Sequence, residues 1–256
     1  MQVVILCGGK GTRMREETEY RPKPLVEVGG MPILWHIMKI YSHYGFKDFV
    51  LCLGYKGNMI KEYFRHFEWL VNDFTLYLGK GKGKVVSHVH KPEDWTITFA
   101  DTGQETGTGG RIKRVARYVK SPEFFLTYGD GVADVNLREL FRFHKKMGKI
   151  GTVTGIHPSS KFGIMDQKGG IVSSFQEKPG LEGLANGGFF VFKRKIFDYL
   201  DEDGFLEQEP LRLLASGGEL AVFDHKGFWH SMDTYKDVES LQQKWDRGIH
   251  PWVVWK

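Results

Sequence analysis

Gln2-Val3-Val4-Ile5-Leu6-Cys7-Gly8-Gly9-Lys10-Gly11-Thr12-Arg13 is the stretch on which the fold turns. Its first half is a short apolar, β-branched run that reads as a buried strand over 2–7, and its second half is a glycine-rich loop. Working outward, Pro32 opens a helix, where its missing N–H is harmless. Ile33, Ile37, Ile40, Tyr41 and Tyr44 form the apolar stripe of that helix, and Gly45 ends it. Residues 48–53 read as a second strand and 58–67 as a second helix. Strand-helix-strand-helix order favours a parallel sheet with right-handed crossovers.

The middle of the chain has a different texture. Residues 74–78, 84–90 and 96–100 resemble short strands, with Gly-Lys-Gly-Lys-Gly at 79–83 as a turn between the first two. A glycine-rich loop over 103–110 leads into a basic helix expected at 111–118. A strand over 123–128 runs straight into Gly129-Asp130-Gly131, and Leu137, Leu140, Phe141, His144 and Met147 mark another amphipathic helix. Strands follow at 152–155, 171–177 and 188–193, with a short helix near 209–216. The last helix begins at Asp233-Thr234, with a capping box between Thr234 and Asp237 and an apolar face of Tyr235, Val238, Leu241 and Trp245. These elements predict an α/β fold: a mostly parallel, Rossmann-like mixed sheet flanked by helices, with β-rich insertions and a C-terminal helical segment. No repeat, low-complexity tract or long linker divides it, so a single domain is expected over 1–256.

Composition narrows the function classes. The 256 residues carry 36 Lys+Arg against 31 Asp+Glu, a net charge of +5 that suits anionic partners such as nucleotides, nucleic acid or sugar phosphates. At 26% charged and 41% hydrophobic the chain is globular and not disordered. No apolar run approaches the roughly 18 residues of a membrane helix, and residues 1–9 lack the basic start of a signal peptide. Cys7 and Cys52, both in apolar runs, read as buried thiols in a reducing cytoplasm.

The glycine loop fails two familiar tests. It is not G-x-G-x-x-G, because the sixth residue from Gly9 is Met14, and no glycine is followed by Lys and then Ser or Thr. Glycines at that place still let a phosphate approach backbone N–H groups. Arg13 and Lys23, the latter fixed between Pro22 and Pro24, supply cations that can neutralise a triphosphate. Taken alone, either reads better as a solvated surface charge. Asp130 ends a strand where α/β folds place ligands, although a Gly-Asp-Gly step is also an ordinary turn. Asp233 stands before the last helix and is equally placed to be its N-cap.

Five ordered motifs together resemble the sugar-phosphate nucleotidyltransferases, the nucleoside-diphosphate-sugar pyrophosphorylases. They are Gly8-Gly9-Lys10-Gly11-Thr12-Arg13 with Pro22-Lys23-Pro24-Leu25, Tyr128-Gly129-Asp130-Gly131, Phe175-Gln176-Glu177-Lys178-Pro179, Asn186-Gly187-Gly188-Phe189-Phe190, and Trp229-His230-Ser231-Met232-Asp233-Thr234. The resemblance spans nearly the whole chain and implies a GT-A-like sheet, with a nucleotide-binding part over about 1–130 and a sugar-phosphate-binding part over about 131–256. Asp101-Thr102-Gly103 and Thr108-Gly109-Gly110-Arg111-Ile112-Lys113-Arg114 are most similar to members that use CTP; they replace the Gln- and Pro-containing segments of those using dTTP or UTP.

The resemblance implies a transfer of the cytidylyl group of CTP to glucose 1-phosphate, with release of pyrophosphate; the rival within catalysis is the same reaction with dTTP or UTP. Arg13 and Lys23 would be catalytic. Leu6, Gly8, Gly9, Lys10, Gly11, Thr12, Thr108, Arg111 and Gly129 would hold the nucleotide, with Arg111 on its phosphates. Gly163, Glu177, Lys178, Asn186 and Trp229 would face the sugar phosphate, and Asp130 and Asp233 would bind Mg2+. The attacking phosphate has a second pKa of about 6, so no general base is needed. In-line positioning, charge neutralisation and a metal are.

A homo-oligomer is expected, from family resemblance and from the apolar tail of Trp245, Trp252, Val253, Val254 and Trp255, which would pack on a neighbour or back on its own chain. The main rival outside catalysis is a nucleic-acid-binding module built on Lys80, Lys82, Lys84, Arg111, Lys113, Arg114 and Arg117, but no recognition motif accompanies it. His88 and His90 share a strand face without a zinc-like ligand spacing.

Overall fold

The computed structural model describes residues 1–81, 83–88, 93–159, 162–177, 179–180 and 182–255. The strand Gln2–Leu6 sits inside an eight-stranded sheet, parallel to Asp48–Leu53 on one side and to Glu123–Tyr128 on the other. Thr96–Asp101 closes one edge, parallel to Asp48–Leu53. Beyond Glu123–Tyr128 the sheet becomes mixed, through antiparallel Phe190–Lys193 and then Gly151–Ile156. Leu220–His225 lies parallel to Gly151–Ile156. The mixed, mostly parallel sheet is the one expected.

A period of two explains why the first strand is apolar from Val3 onward. Val3, Ile5 and Cys7 belong to one core, with Phe49, Leu51 and Leu53 of the neighbouring strand and Ile33, Ile37, Ile40 and Tyr41 of the helix Ile33–His43. Val4 and Leu6 belong to the other, with Val50, Cys52, Ile112, Leu206 and Leu214. A strand buried on both faces has no polar side. Burying each such side chain contributes about 1.5–3 kcal/mol, which fixes the strand's register. Cys52, in the strand Asp48–Leu53, and Cys7, just after the first strand, are free thiols. Burial pushes Cys7 well up and Cys52 to about 12, keeping both protonated.

Several elements depart from the sequence reading. Pro32 caps its helix in an extended conformation because it pairs with Glu27 in a small sheet, and the helix starts at Ile33. The helix expected over 58–67 divides at His66 into Gly57–Arg65 and Phe67–Val71. Thr96–Asp101 is a main-sheet edge and not part of an insertion. The basic helix runs Thr108–Arg114, so it begins three residues before Arg111. A strand at Ile164–Lys168, unforeseen because its side chains are exposed and do not alternate, pairs with Ile171–Gln176. His90 and Lys82 lie outside the described residues. Among the described residues no helix is long and apolar enough to cross a membrane.

The aromatic tail packs back onto its own chain. Trp252 is fully buried beside Phe228, Trp245 and His36. Its indole N–H donates to His36 Nδ1 at 3.3 Å, while His36 Nε2 lies 2.9 Å from the Val28 carbonyl. Accepting at Nδ1 and donating from Nε2 requires a neutral ring. Burial drives His36 down to about 4, against hydrogen bonds to backbone that favour its charged form. A base depressed in the folded state takes up a proton more readily when unfolded. Its stabilising contribution is therefore complete above the unfolded pKa near 6.5 and is lost as pH falls toward 4. Unfolding free energy should drop by about 2 kcal/mol from this group between pH 7 and pH 5. An imidazole titration by NMR should give His36 a midpoint near 4; a midpoint near the unperturbed value would contradict this account.

Candidate active site

The glycine loop leaves the first strand at Leu6 and becomes one wall of a cavity of about 310 Å³. Leu6, Gly8, Gly9, Gly11, Thr12 and Arg13 all line it. Lys23, Thr108, Arg111, Gly129, Asp130 and Asp233 complete the set of sequence-predicted residues it gathers. A second cavity of about 210 Å³ contains Asn186 and Trp229, whose indole donates to the Gly187 carbonyl at 2.7 Å. Tyr128, Asp130 and Asp233 line both cavities. The two acids therefore stand where one space meets the other.

Three distant segments converge there. Lys23 Nζ lies 2.6 Å from Asp130 Oδ2 and 2.9 Å from Asp233 Oδ1, and Arg13 reaches the same Asp233 oxygen at 2.8 Å. Lys23 belongs to a short turn, Lys23–Leu25, whose three residues are buried. Asp130 follows the strand Glu123–Tyr128 directly. Thr234, and not Asp233, is the N-cap of the last helix, and the predicted capping box with Asp237 is present. The Asp233 carboxylate is thereby left for the cavity, steadied by a hydrogen bond from Ser231 at 3.1 Å. Burial works to raise its pKa, but the bond from Lys23, the charges of Lys23 and Arg13, and the Ser231 hydroxyl outweigh it and hold the group below the usual carboxylate range.

A divalent cation suits this donor set. Two carboxylates from separate segments already point at one cationic centre, the Lys23 ammonium. Among the described residues no group of three or more His, Cys, Asp or Glu is assembled. Two hard oxygen ligands, with the remainder from phosphates and water, match a magnesium-like ion bound together with its substrate and not a closed protein cage.

Arg111 also holds the protein's own loops. It is buried, and its guanidinium donates to the carbonyls of Leu53, Gly103, Gly8 and Gln104 at 3.2, 2.6, 3.0 and 3.1 Å and to the Thr102 hydroxyl at 2.9 Å. Its two terminal nitrogens are thus engaged by protein acceptors, while the residue still lines the first cavity. Because the helix begins earlier, Arg111 lies past its open N–H groups and turns toward loop carbonyls instead. Gly8 is required by this packing, since a Cβ there would run into the Arg111 guanidinium.

Other expected residues sit apart. Lys10 does not line the main cavity and pairs with Glu105 at 2.6 Å. Gly163 lies against Phe175 and Glu177 at the base of the exposed hairpin 164–176, and neither Gly163 nor Glu177 lines the two cavities. Lys178 lies outside the described residues. Conversely, Thr106 and Phe205 line the first cavity without having been anticipated. No motif marks Phe205. The clustered glycines 107, 109 and 110 signal the close approach of another segment without saying which.

A strand-end glycine loop, a buried lysine between two carboxylates, and a second cavity sharing those acids define a protein that holds a phosphorylated nucleotide against another small ligand. Residues 2–237 match the family model described as nucleotidyl transferase, and the chain belongs to that family. It is 50% identical over 259 residues to the glucose-1-phosphate cytidylyltransferase of Salmonella typhimurium, covering all of both chains. It is also 50% identical, again over the whole of both chains, to the probable glucose-1-phosphate cytidylyltransferase of Bacillus subtilis. Among solved structures, HddC from Yersinia pseudotuberculosis superposes with a TM-score of 0.70 at 22% identity, over 95% of this chain and 99% of that one. At that identity the likeness concerns the fold alone.

Replacing Arg111 with Lys keeps the charge but offers three donors to five acceptors. Arg111→Lys should lower the thermal unfolding midpoint by roughly 5 °C, as two or so unsatisfied buried acceptors would. A variant that melts within about 1 °C of the parent, by the same calorimetric scale, would show the carbonyl clamp to be dispensable.

Proposed function

We propose that the chain transfers the cytidylyl group of CTP to glucose 1-phosphate, giving CDP-glucose and pyrophosphate. The observation that carries this reading is the pair of acids Asp130 and Asp233, shared between two cavities and bridged by Lys23. The choice of CTP and glucose 1-phosphate is supported by the full-length likeness to cytidylyltransferases. Leu6, Gly8, Gly9, Gly11, Thr12, Thr108 and Gly129 form the nucleotide side; Asn186 and Trp229 form the sugar side.

The reaction is an in-line displacement at the α-phosphorus of CTP by a phosphate oxygen of the sugar phosphate. The nucleophile arrives ionised, so the chain's residues bind, orient and neutralise and move no proton. Asp130 and Asp233 would hold Mg2+, which when bound supplies positive charge to phosphate oxygens. Lys23 and Arg13, which face those acids, would meet the charge that develops on the phosphates. Lys178, by its motif, would hold the sugar phosphate, with Glu177 accepting from sugar hydroxyls. The chain acts as a single catalytic unit in the cytoplasm.

Self-association is supported by the exposed apolar hairpin 74–87 beside the helix Phe67–Val71. Phe74, Leu76, Leu78, Val85, Trp69 and Leu70 are all exposed there, a patch typical of a subunit contact. Three cations of the nucleic-acid reading are committed internally. Arg111 holds loop carbonyls, Lys113 donates to the Phe197 carbonyl at 2.6 Å, and Arg114 pairs with Asp203 at 3.0 Å.

Pyrophosphate release should be fastest with CTP when the four nucleoside triphosphates and dTTP are compared with glucose 1-phosphate and Mg2+. Preference for another nucleotide would reassign the base and keep the reaction. Asp130→Asn should cut metal-dependent turnover by more than about 100-fold; near-normal turnover would remove Asp130 from the metal site. Lys178→Ala should raise the KM for glucose 1-phosphate and spare that for CTP, whereas equal rises would place Lys178 elsewhere.

A further inference from the structure

A carboxylate outside every motif ties the two cavities together. Glu207 lies in the segment before the helix Glu209–Ser216. One of its oxygens accepts from the Tyr128 hydroxyl at 2.6 Å, and the other accepts from the Thr108 hydroxyl, also at 2.6 Å. Thr108 lines only the nucleotide-side cavity, and Tyr128 lines both. The Tyr128 oxygen in turn accepts from the Asn186 side-chain amide at 3.2 Å, and Asn186 lines the sugar-side cavity. Asn186 is held at its other end by the Gly188 N–H, which donates to its Oδ1 at 2.9 Å. The chain of bonds is therefore continuous from Thr108 through Glu207 and Tyr128 to Asn186.

The surroundings hold Glu207 in place. The Thr108 hydroxyl also accepts from the Leu206 N–H at 2.9 Å, and the Gly110 N–H donates to the Gly204 carbonyl at 3.0 Å. A Cβ at Gly110 would collide with the Glu202 carbonyl oxygen, so the helix Thr108–Arg114 needs glycine there to dock this segment. Arg114 adds ion pairs to Asp203 at 3.0 Å and Glu202 at 3.7 Å.

We propose that Glu207 is a positioning residue that sets the nucleotide side and the sugar side of the site with one carboxylate, through Thr108 on the first and through Tyr128 and Asn186 on the second. It touches neither reacting phosphate. Its two oxygens act on two different substrates, and losing it loosens both at once. This inference rests on the two-substrate reaction proposed above, but not on which base the nucleotide carries.

The test is a steady-state comparison of Glu207→Ala, Tyr128→Phe and Thr108→Ala, with the KM of each substrate measured at saturation of the other. Glu207→Ala should raise both KM values about fivefold, the scale of one lost hydrogen bond per substrate, with kcat changed less than about twofold. Tyr128→Phe should raise the KM of the sugar phosphate and Thr108→Ala that of the nucleotide. Adding Glu207→Ala to either single variant should leave the KM already raised where it is, because the bond is already gone. Should Glu207→Ala fail to fold, Glu207→Gln has the same shape but one acceptor oxygen for two hydroxyls, and both KM values should still rise together. Unmoved KM values in a folded Glu207 variant, a rise in only one of them, or a fall in kcat alone would overturn the inference. If the wild-type chain prefers a nucleotide other than CTP, the same split is read with that nucleotide, and only the base assignment falls.

Discussion

The site depends on one ammonium group. Lys23 Nζ draws together Asp130 and Asp233, which are 107 and 210 residues away in sequence. Two carboxylates facing one space repel each other, and burial makes each more costly to ionise. A buried lysine between them offsets that repulsion and, with Arg13, holds Asp233 below the usual carboxylate range. Removing one partner of such a group leaves an uncompensated charge, so the three residues stand or fall together. The arrangement is also poised. If Asp130 and Asp233 hold a divalent ion, as proposed, Lys23 would lose its carboxylate partners and could meet negative charge on a ligand.

Arg111 solves a different problem with the same kind of resource. Loops around a nucleotide cavity must present backbone N–H groups inward, which leaves carbonyls turned outward into the protein. Gly8, Leu53, Gly103 and Gln104 have such carbonyls, and a single planar guanidinium collects them. The loop after the first strand and the loop after Thr96–Asp101 are thus held by one side chain between them. Positive charge near a phosphate site is often read as charge for the phosphate. Here the same cation also binds the architecture together through loop carbonyls.

Much of the framework was legible in the sequence because its causes are local. An unbroken apolar strand ending in glycines, the stripe from Ile33 to Tyr41 and the capping box at Thr234 each leave a signature within a few residues. The pairing of Asp130 with Asp233 was readable only through family resemblance, since nothing local links them. Glu207, Phe205 and the carbonyl partners of Arg111 escaped because their roles arise from tertiary approach. The glycines at 107, 109 and 110 carried half of that information: they say that a backbone comes close, but not whose. The edge strand Thr96–Asp101 looked like its insertion neighbours because half-exposed edges share their composition.

The first strand has a further consequence. Its side chains serve two cores in strict alternation, and the residue after Leu6 begins the turn into the glycine loop. The same five residues that partition the hydrophobic interior therefore also measure out where Gly8 falls against Arg111. Inserting or deleting one residue there would exchange the two cores and move the loop by one step along the sheet. The strand acts as a ruler whose graduations are set by packing and whose end mark is the nucleotide site, so selection on stability and selection on substrate binding act on the same few positions.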